Sequence, residues 1–294
     1  MKKALFCLGL IIFAASICNL RAQSAIDADD DHNFNHFYQK TLTQEKRALP
    51  YPFLREIDVV WKTCIWRTID FREKFNQFFY FPTDQTKNTQ DRINLTNCIM
   101  NALENGEIEV FEDDELKIPK DYDALAQQLN RTYTYHIPEY DEYGDELEGR
   151  DTILTEAFRP EDVFQARIKE FWYIDKQDTR QKVRITGLTL VYNYCRERDG
   201  ERMCEPVEMF WVPMDDMRVR NVLVRADAYD EHNIAYEQTY DDVFINRYFD
   251  SYVYRESNTF NRPISAYLTG TDALLESQRI EDNIAQIESD IWEY

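Results

Sequence analysis

Few residues in this sequence have the type and spacing that catalysis or metal binding requires. His32 and His36 stand four residues apart beside three consecutive aspartates, which would bring two imidazoles together only in a helix. A solvated acidic tail is the interpretation that we favour for this stretch. His136 lies two residues before a proline in an aromatic stretch, His232 lies in a polar turn, and neither has a serine nucleophile nearby. The histidines therefore predict neither a catalytic site nor a metal site.

The motifs of nucleotide-binding proteins, hydrolases and zinc-binding proteins are absent from the sequence. The seven glycines are scattered and form neither a phosphate-binding loop nor a dinucleotide fingerprint. G-x-S-x-G, H-E-x-x-H and C-x-x-C do not occur. Adjacent acids such as Asp113 and Asp114 could serve a glycosidase, but such pairs arise by chance among 55 acidic residues. We predict a non-enzymatic protein with no catalytic residues, no cofactor and no metal ion.

The first 22 residues have the pattern of an export signal. Two lysines precede an apolar run over residues 4–17, and a small residue, Ala22, precedes the expected cleavage point. The run is too short to span a bilayer, so we expect no membrane span. Ile17 is a poor match for the small residue that lipid attachment at Cys18 would need. The pattern predicts an exported protein.

The exported chain is strongly acidic. Residues 1–22 contain three basic residues and no acidic ones, so their removal changes the formal charge from −21 to −24. Such a surface repels nucleic acid and anionic lipid and suits either a basic partner or solubility alone. Residues 23–50 read as a mobile acidic arm, and the acidic stretch 139–151 reads as a loop of unassigned role.

The remaining cysteines are Cys64, Cys98, Cys195 and Cys204. Asp199-Gly200 is a strong signal for a two-residue hairpin turn, and it sets the register of the two flanking strands. In that register Cys195 lies directly opposite Cys204, within the range that a disulfide can bridge. Because exported proteins encounter an oxidising compartment, we predict that these two cysteines form a disulfide. Whether Cys64 and Cys98 pair is left open.

The same hairpin register makes predictions for the apolar residues farther from the turn. Leu188 is expected opposite Trp211, and Leu190 opposite Met209, so that one face is apolar throughout. Upstream, the apolar positions change from odd to even numbers at Gly187, which predicts a β-bulge there.

Residues 55–69 are predicted as an amphipathic helix. Ile57, Val60 and Ile65 belong to one expected core face at the spacing of a helix. Val59 and Trp66 would then lie on the opposite, solvent-facing side, which makes them candidates for contact with a neighbouring protein. The alternative is that the aromatic segment 71–82 folds back and covers them.

The rest of the chain predicts antiparallel strands followed by helices. Strand patterns begin at Val163, while residues 239–257 and 271–294 are predicted helical. The fold class is therefore α+β, with an N-terminal half over 51–150 and a C-terminal half over 151–294 that show a weak internal similarity. The last helix has a narrow apolar seam that packs on the body or on a partner, so we add its isoleucines to the candidate interface: Ile280, Ile284, Ile287 and Ile291.

Several blocks of the sequence resemble one known family. LREIDVVWKTCIWRTIDFREKFNQFFYFP is similar to the opening signature of the gliding-motility-associated protein N family of Bacteroidetes, also called the Por secretion system protein N family. RIKEFWYIDKQDTRQKVRITGL, EMFWVPMDDMR, QTYDDVFINRYFDSYVYRESN and DALLESQRIEDNIAQIESDIWEY resemble its later blocks in the same order. The resemblance runs from about Leu54 to Tyr294 and leaves gaps at the acidic loops.

The resemblance implies a non-enzymatic structural subunit of the type IX protein secretion machinery, which is also linked to gliding motility. It implies a periplasmic location and a ring formed by self-association together with an outer-membrane lipoprotein, the K component. The alternative is a secreted carbohydrate-binding or glycan-processing protein, which would require the aromatic residues to line a groove.

Overall fold

The structure is a computed structural model that describes residues 46–83, 92–140, 146–156, 158–178, 180–198, 201–228 and 238–292. The strands are β1 (Val59–Asp70), β2 (Val110–Phe111), β3 (Pro119–Lys120), β4 (Arg131–Tyr140), β5 (Glu146–Glu156), β6 (Val163–Asp175), β7 (Gln181–Arg198), β8 (Glu201–Pro213), β9 (Asp227–Ala228), β10 (Gln238–Thr239) and β11 (Tyr252–Glu256). The α-helices are α1 (Gln77–Tyr80), α2 (Leu95–Glu104), α3 (Tyr122–Leu129), α4 (Met217–Arg225), α5 (Tyr240–Asn246) and α6 (Thr271–Trp292).

One antiparallel sheet organises the fold. Seven strands pair in the order β11-β1-β6-β7-β8-β2-β3, and this sheet with its helices confirms the α+β class. Strands β1 to β3 come from the predicted N-terminal half and the other four from the C-terminal half, so the sheet is built from both. Strands β4 and β5 pair with each other in a separate hairpin.

The predicted helix over residues 55–69 is wrong, because these residues lead into strand β1. The segment is rich in β-branched and aromatic residues, which favour strands. From Cys64 to Ile69 every residue of β1 is buried. When both faces of a strand are buried, its apolar residues no longer alternate with polar ones, and their spacing can also fit a helix. Ile57 and Val60, predicted as core, are instead 80% and 66% exposed.

Residues 239–257, also predicted as one helix, contain two elements. Helix α5 begins at a capping box in which Thr239 and Asp242 exchange hydrogen bonds, and it ends at Asn246, with Arg247 as the C-terminal capping residue. Arg247 has a φ of 56°, a left-handed conformation that terminates a helix. The chain then returns as strand β11, which pairs with β1.

Helices α1 to α5 pack on one face of the sheet. Sheet residues such as Ile69, Ile168 and Leu190 share a single buried cluster with residues from all five helices. Tyr240 lies at its centre, where its hydroxyl donates to the carbonyl oxygens of Phe78 at 3.1 Å and Ile93 at 2.9 Å. Segment 71–82, the alternative cover for Val59 and Trp66, instead contributes four aromatic residues to this cluster: Phe71, Phe78, Phe79 and Tyr80.

The register of the β7–β8 hairpin agrees with the prediction near the turn and departs from it farther away. Cys195 pairs with Cys204, and the predicted bulge next to Gly187 is present. A second irregularity between Thr189 and Val191 shifts the pairing by one residue, so Leu188 lies opposite Val212. Trp211 therefore lies opposite Thr189, on the face away from the helices, and the predicted pairing of Leu188 with Trp211 is wrong.

Helix α6 packs on the edge of the sheet formed by β11 and β1. Ile280 and Ile284 join Ile65 and Val253 in a second buried cluster. The hydroxyl of Ser277 accepts a hydrogen bond from the backbone N–H of Val253 at 2.9 Å. None of the helices in the described ranges is both long enough and apolar enough to cross a membrane.

Candidate functional site

The face of the sheet away from helices α1 to α5 carries basic and aromatic side chains in alternating rows. Trp66 on β1 lies between Lys169 on β6 and Arg255 on β11, because both are its backbone partners in the sheet. We call this surface the cationic face and define it by its basic and aromatic members: Arg167, Lys169, Arg184, Arg255, Trp66, Phe171, Trp211 and Tyr254.

The basic side chains of the cationic face lie against aromatic rings. The Arg255 guanidinium lies 3.6 Å from the centre of a Trp66 ring, and the Lys169 amine lies 5.5 Å from it. The Arg167 guanidinium lies 4.8 Å from the Tyr254 ring centre. Contacts of this kind contribute about 0.5–2 kcal/mol each and hold the cations in fixed orientations. Burial raises the pKa of Tyr254, so its ring faces the arginine as a neutral phenol.

A short acidic loop, residues 112–118, connects β2 to β3 and lies over the centre of this face. Lys169 donates from Nζ to the backbone oxygen of Asp114 at 2.7 Å, and Arg255 forms an ion pair with the Asp114 carboxylate. Leu116 packs against the aromatic cluster. The Asp113 carboxylate accepts from the backbone N–H groups of Lys117 at 3.0 Å and Ile118 at 3.2 Å, which fixes the shape of the loop.

Four buried nitrogen atoms of the cationic face lack a hydrogen-bond partner among the described residues: Trp66 Nε1, Arg167 Nε, Arg184 Nε and Arg255 Nε. Each arginine does use a terminal nitrogen: Arg167 donates to Glu208 at 2.6 Å, Arg184 to the backbone oxygen of Pro52 at 2.5 Å, and Arg255 to Asp114. An unsatisfied buried donor costs about 1–3 kcal/mol. These donors therefore have no acceptor in the described part of the chain.

The segment 46–58 forms a second candidate surface. Arg220, itself buried and paired with Asp241 at 2.9 Å, donates to the backbone oxygen of Leu49. The guanidinium groups of Arg220 and Arg184 contact the Tyr51 ring, with their Cζ atoms 4.6 Å and 5.0 Å from the ring centre. These contacts fix the backbone of the segment, yet Phe53 is 90% exposed and Leu49 is also exposed. We call the exposed apolar side chains of this region the apolar ridge: Leu49, Phe53, Ile57 and Val60.

A buried ionic cluster lies on the opposite face of the sheet. Glu170 is fully buried, and its carboxylate accepts from Arg247 at 2.6 Å and from the Trp172 indole at 3.1 Å. Arg67 lies 3.5 Å from Glu170 and donates two hydrogen bonds to Glu281 of helix α6, at 2.6 and 2.7 Å. The cluster joins β1, β6, the end of α5 and α6 to one another.

The structure places the predicted interface residues in different environments. Trp66 is 5% exposed and covered within the chain, so the solvent-facing position that motivated its choice does not exist, because β1 is a strand. Val59 is half-buried at the start of β1. Of the seam isoleucines, Ile280 and Ile284 are buried against the sheet of their own chain, and Ile287 and Ile291 are half-buried. Contact of any of these residues with a partner stays a prediction.

The cysteines fall into a pair and two single thiols. Cys195 and Cys204 are joined in the structure, with Sγ atoms 2.04 Å apart, and their oxidation in the exported protein stays a prediction. Cys64 and Cys98 are not bonded to each other and are buried. Burial raises the pKa of Cys64 to about 11 and that of Cys98 to about 12, so neither is a reactive thiolate near neutral pH.

Metal-binding clusters do not occur among the residues that the structure describes. His32, His36 and His232 lie outside the described residues, as does the middle of the predicted acidic loop 139–151. The predicted absence of a catalytic site therefore stays a prediction for the whole chain.

The sequence reasoning missed the cationic face and the apolar ridge. One signal was available for the face: Arg167, Lys169 and Phe171 alternate with Ile168 and Glu170, the period of a strand with one basic and aromatic side. The apolar ridge has no comparable signal in the sequence, because the spacing of Ile57 and Val60 is the one expected for the buried face of a helix.

Comparison with protein families identifies the relatives of this chain. A family model described as "Gliding motility associated protein GldN" matches residues 54–293, from just before β1 to the end of α6. No curated protein matches the chain.

Proposed function

Because the chain belongs to the gliding motility associated protein GldN family, we propose that it is a structural, non-enzymatic subunit of the type IX protein secretion machinery. The family is a structural component associated with gliding motility and type IX secretion. In the proposal, copies of this chain assemble in the periplasm into a ring with an outer-membrane lipoprotein, the K component of the same system.

The observation that carries this proposal is the extent of the family match. It covers every strand and helix that the structure describes, so the similarity concerns the complete sheet and its helices rather than one motif. The exposed apolar side chains of the ridge also support a role as a subunit of a larger assembly. A fixed backbone segment that presents exposed side chains such as Phe53 is typical of a surface that another protein covers.

The cysteine and ionic chemistry also suits a scaffold. Both single thiols are buried and protonated near neutral pH, and the most deeply buried carboxylate, Glu170, is engaged by structural arginines and an indole. Their burial and their partners within the described part of the chain suit a role in stabilising the fold.

Co-purification tests the proposal most directly. The chain, expressed with its signal and with the lipoprotein in the native host, should elute from the periplasmic and outer-membrane fractions in one large assembly that contains both proteins. Negative-stain microscopy should show closed rings. A monomer that purifies without the lipoprotein and shifts in migration with added glycans would instead favour a carbohydrate-binding protein.

A matched pair of variants tests the role of the apolar ridge in that assembly. Phe53→Ser changes a 90% exposed side chain, so it should leave the thermal unfolding temperature unchanged and reduce the recovery of the assembly. Leu275→Ser changes an exposed leucine on α6 and serves as the comparison. Full assembly of both variants would show that the ridge is not covered by a partner.

A further inference from the structure

The body of the protein holds residues 46–53 in the way that a protein binds a separate peptide. These residues, which we call the strap, are extended and form neither a helix nor a strand. Ala48 is buried, and its backbone N–H donates to Asn221 Oδ1 at 3.1 Å. The backbone oxygen of Leu49 accepts a hydrogen bond from Arg220. Side chains of the body therefore recognise the strap through its backbone.

The side chains that hold the strap come from three elements, and we call them the strap groove: Arg184 on β7, Arg220 and Asn221 on α4, and Asp242 on α5. Asp242 forms an ion pair with Lys46, and Arg184 donates to the backbone oxygen of Pro52 at 2.5 Å. Arg220 is oriented by the body itself, because it pairs with Asp241 at 2.9 Å. The same contacts are therefore available to a strap that comes from another copy of the chain.

The sequence of the strap suits a segment that binds as a preformed extended chain. Pro50 and Pro52 flank Tyr51, and each proline has a fixed φ and no backbone N–H to donate to a sheet. Such a segment loses little conformational freedom when it binds. The Tyr51 ring lies between the guanidinium groups of Arg220 and Arg184, which are its contacts in the groove. A short, stiff strap of this kind can leave one groove and enter another without refolding of the body.

Apolar side chains stay uncovered when the strap lies on its own chain. Leu49 and Phe53 on the strap are exposed, and so is Ile57 on the link between the strap and β1. When a strap crosses to another copy, the link runs between the two molecules, and these side chains then lie where the copies meet. Exchange therefore keeps the contacts of the strap and gives the exposed apolar side chains a neighbouring surface that covers them.

We propose that the strap of each copy occupies the strap groove of the next copy when chains assemble. The inference rests on the proposed self-association and names a contact that produces it. An exchange that runs in one direction through successive copies is a head-to-tail contact, which can close into a ring. A strap has a high effective concentration at the groove of its own chain, so dilute chains keep it and exchange accompanies assembly.

Cysteine cross-linking between copies tests the exchange. One variant carries Ala48→Cys in the strap and another carries Asn221→Cys in the groove, at two positions that share a hydrogen bond. Neither variant contains both new thiols, so a disulfide between them joins different chains. After assembly of an equal mixture with the lipoprotein and oxidation, a non-reducing gel should show up to about half of the chains as dimers, because each strap meets the other variant in about half of its contacts.

Three controls define what the dimers mean. The double variant, with both substitutions in one chain, should form its disulfide within the monomer when dilute and a ladder of linked chains in the assembly. A mixture of Ala48→Cys with Leu275→Cys, an exposed position on α6, should give no dimer above background. If either groove or strap variant lowers the unfolding temperature, Pro52→Cys and Arg184→Cys with a short bifunctional maleimide supply a second pair.

The outcomes separate the exchange from the proposed function. An assembly in which the double variant bonds only within chains, and in which the mixture gives no dimer, would overturn the exchange and leave the proposed function intact. If no assembly with the lipoprotein forms, the same mixture is oxidised as concentrated purified chains. Dimers would then support the exchange while the proposed function fails, and their absence would overturn both.

Discussion

Substitution of Glu170 tests how much the buried ionic cluster contributes to the stability of the fold. Its carboxylate is fully buried and lies within 2.6 Å of Arg247, 3.1 Å of the Trp172 indole nitrogen and 3.5 Å of Arg67. Glu170→Gln keeps the shape of the side chain and removes the charge that compensates two largely buried arginines. Removal of one partner from a buried ion pair costs about 3–5 kcal/mol, because the remaining charge is left without compensation.

Chemical denaturation of the purified protein measures this loss directly. The free energy of unfolding should fall by about 3–5 kcal/mol, and the melting temperature should fall by roughly 6–20 °C for a chain of this size. Glu281→Gln is the matched control, because Glu281 also pairs with Arg67 but its side chain is 29% exposed. Partly solvated pairs contribute less, so we expect a loss of about 1 kcal/mol. Equal losses in the two variants, or a loss below about 1 kcal/mol for Glu170→Gln, would refute the reasoning.

Four other predictions follow from the same structure. Trp66→Ala should lower the free energy of unfolding by about 3–5 kcal/mol, measured by denaturation, because the side chain is 5% exposed within its own chain. Peptide mapping of the unreduced protein should recover Cys195 linked to Cys204, and two alkylatable thiols there would contradict the disulfide. Ile284→Ala should cost about 2–5 kcal/mol and detach α6, while Leu275→Ala, which is exposed, should change stability by less than about 0.5 kcal/mol. The rate of assembly should fall as the salt concentration rises, because exposed charges are screened beyond roughly 10 Å at 0.1 M. An assembly rate that does not change with salt would mean that the acidic surface serves only to keep the protein soluble.

The parts of the fold that the sequence predicted correctly depend on local signals. Asp199-Gly200 sets the pairing of its flanking strands because the turn leaves few registers available, and the pairing holds as far as Val191. The C-terminal helix was predicted from a seam on one side of an otherwise polar segment, and the structure has α6 over Thr271–Trp292. Apolar residues confined to one side of a helix identify both the helix and the face that it buries.

The wrong predictions concern strands that are buried on both faces, because such strands lack the alternation of apolar and polar residues that identifies a strand. Strand β1 is covered by helices on one face and by the aromatic cluster of the cationic face on the other, so its second half has buried apolar residues on both faces. A spacing of three and four residues then occurs by chance. The predicted face of Trp211 is wrong because a single extra residue opposite Leu190 reverses which side chains of the strand point to each face of the sheet. No residue type in that stretch indicates this irregularity.

The candidate site could be predicted only in part. The alternation of Arg167, Lys169 and Phe171 indicates a basic, aromatic side of β6. The partners of these residues, Trp66 and Arg255, come from distant parts of the chain, and sequence spacing holds no information on which strands become neighbours. The recognition of the family, by contrast, came from whole blocks of sequence and did not need the fold.

The position of β1 in the sheet has a consequence for how the protein reaches its native state. Trp66 pairs with Lys169 on one side and with Arg255 on the other, so the second neighbour of β1 is synthesised long after it. Folds dominated by such distant pairings form slowly, and an apolar strand with an unpaired edge is prone to aggregate in the meantime. We therefore expect that a chain truncated before Tyr252 accumulates as insoluble protein and that native yield depends on protection of the newly synthesised chain until β11 pairs with β1.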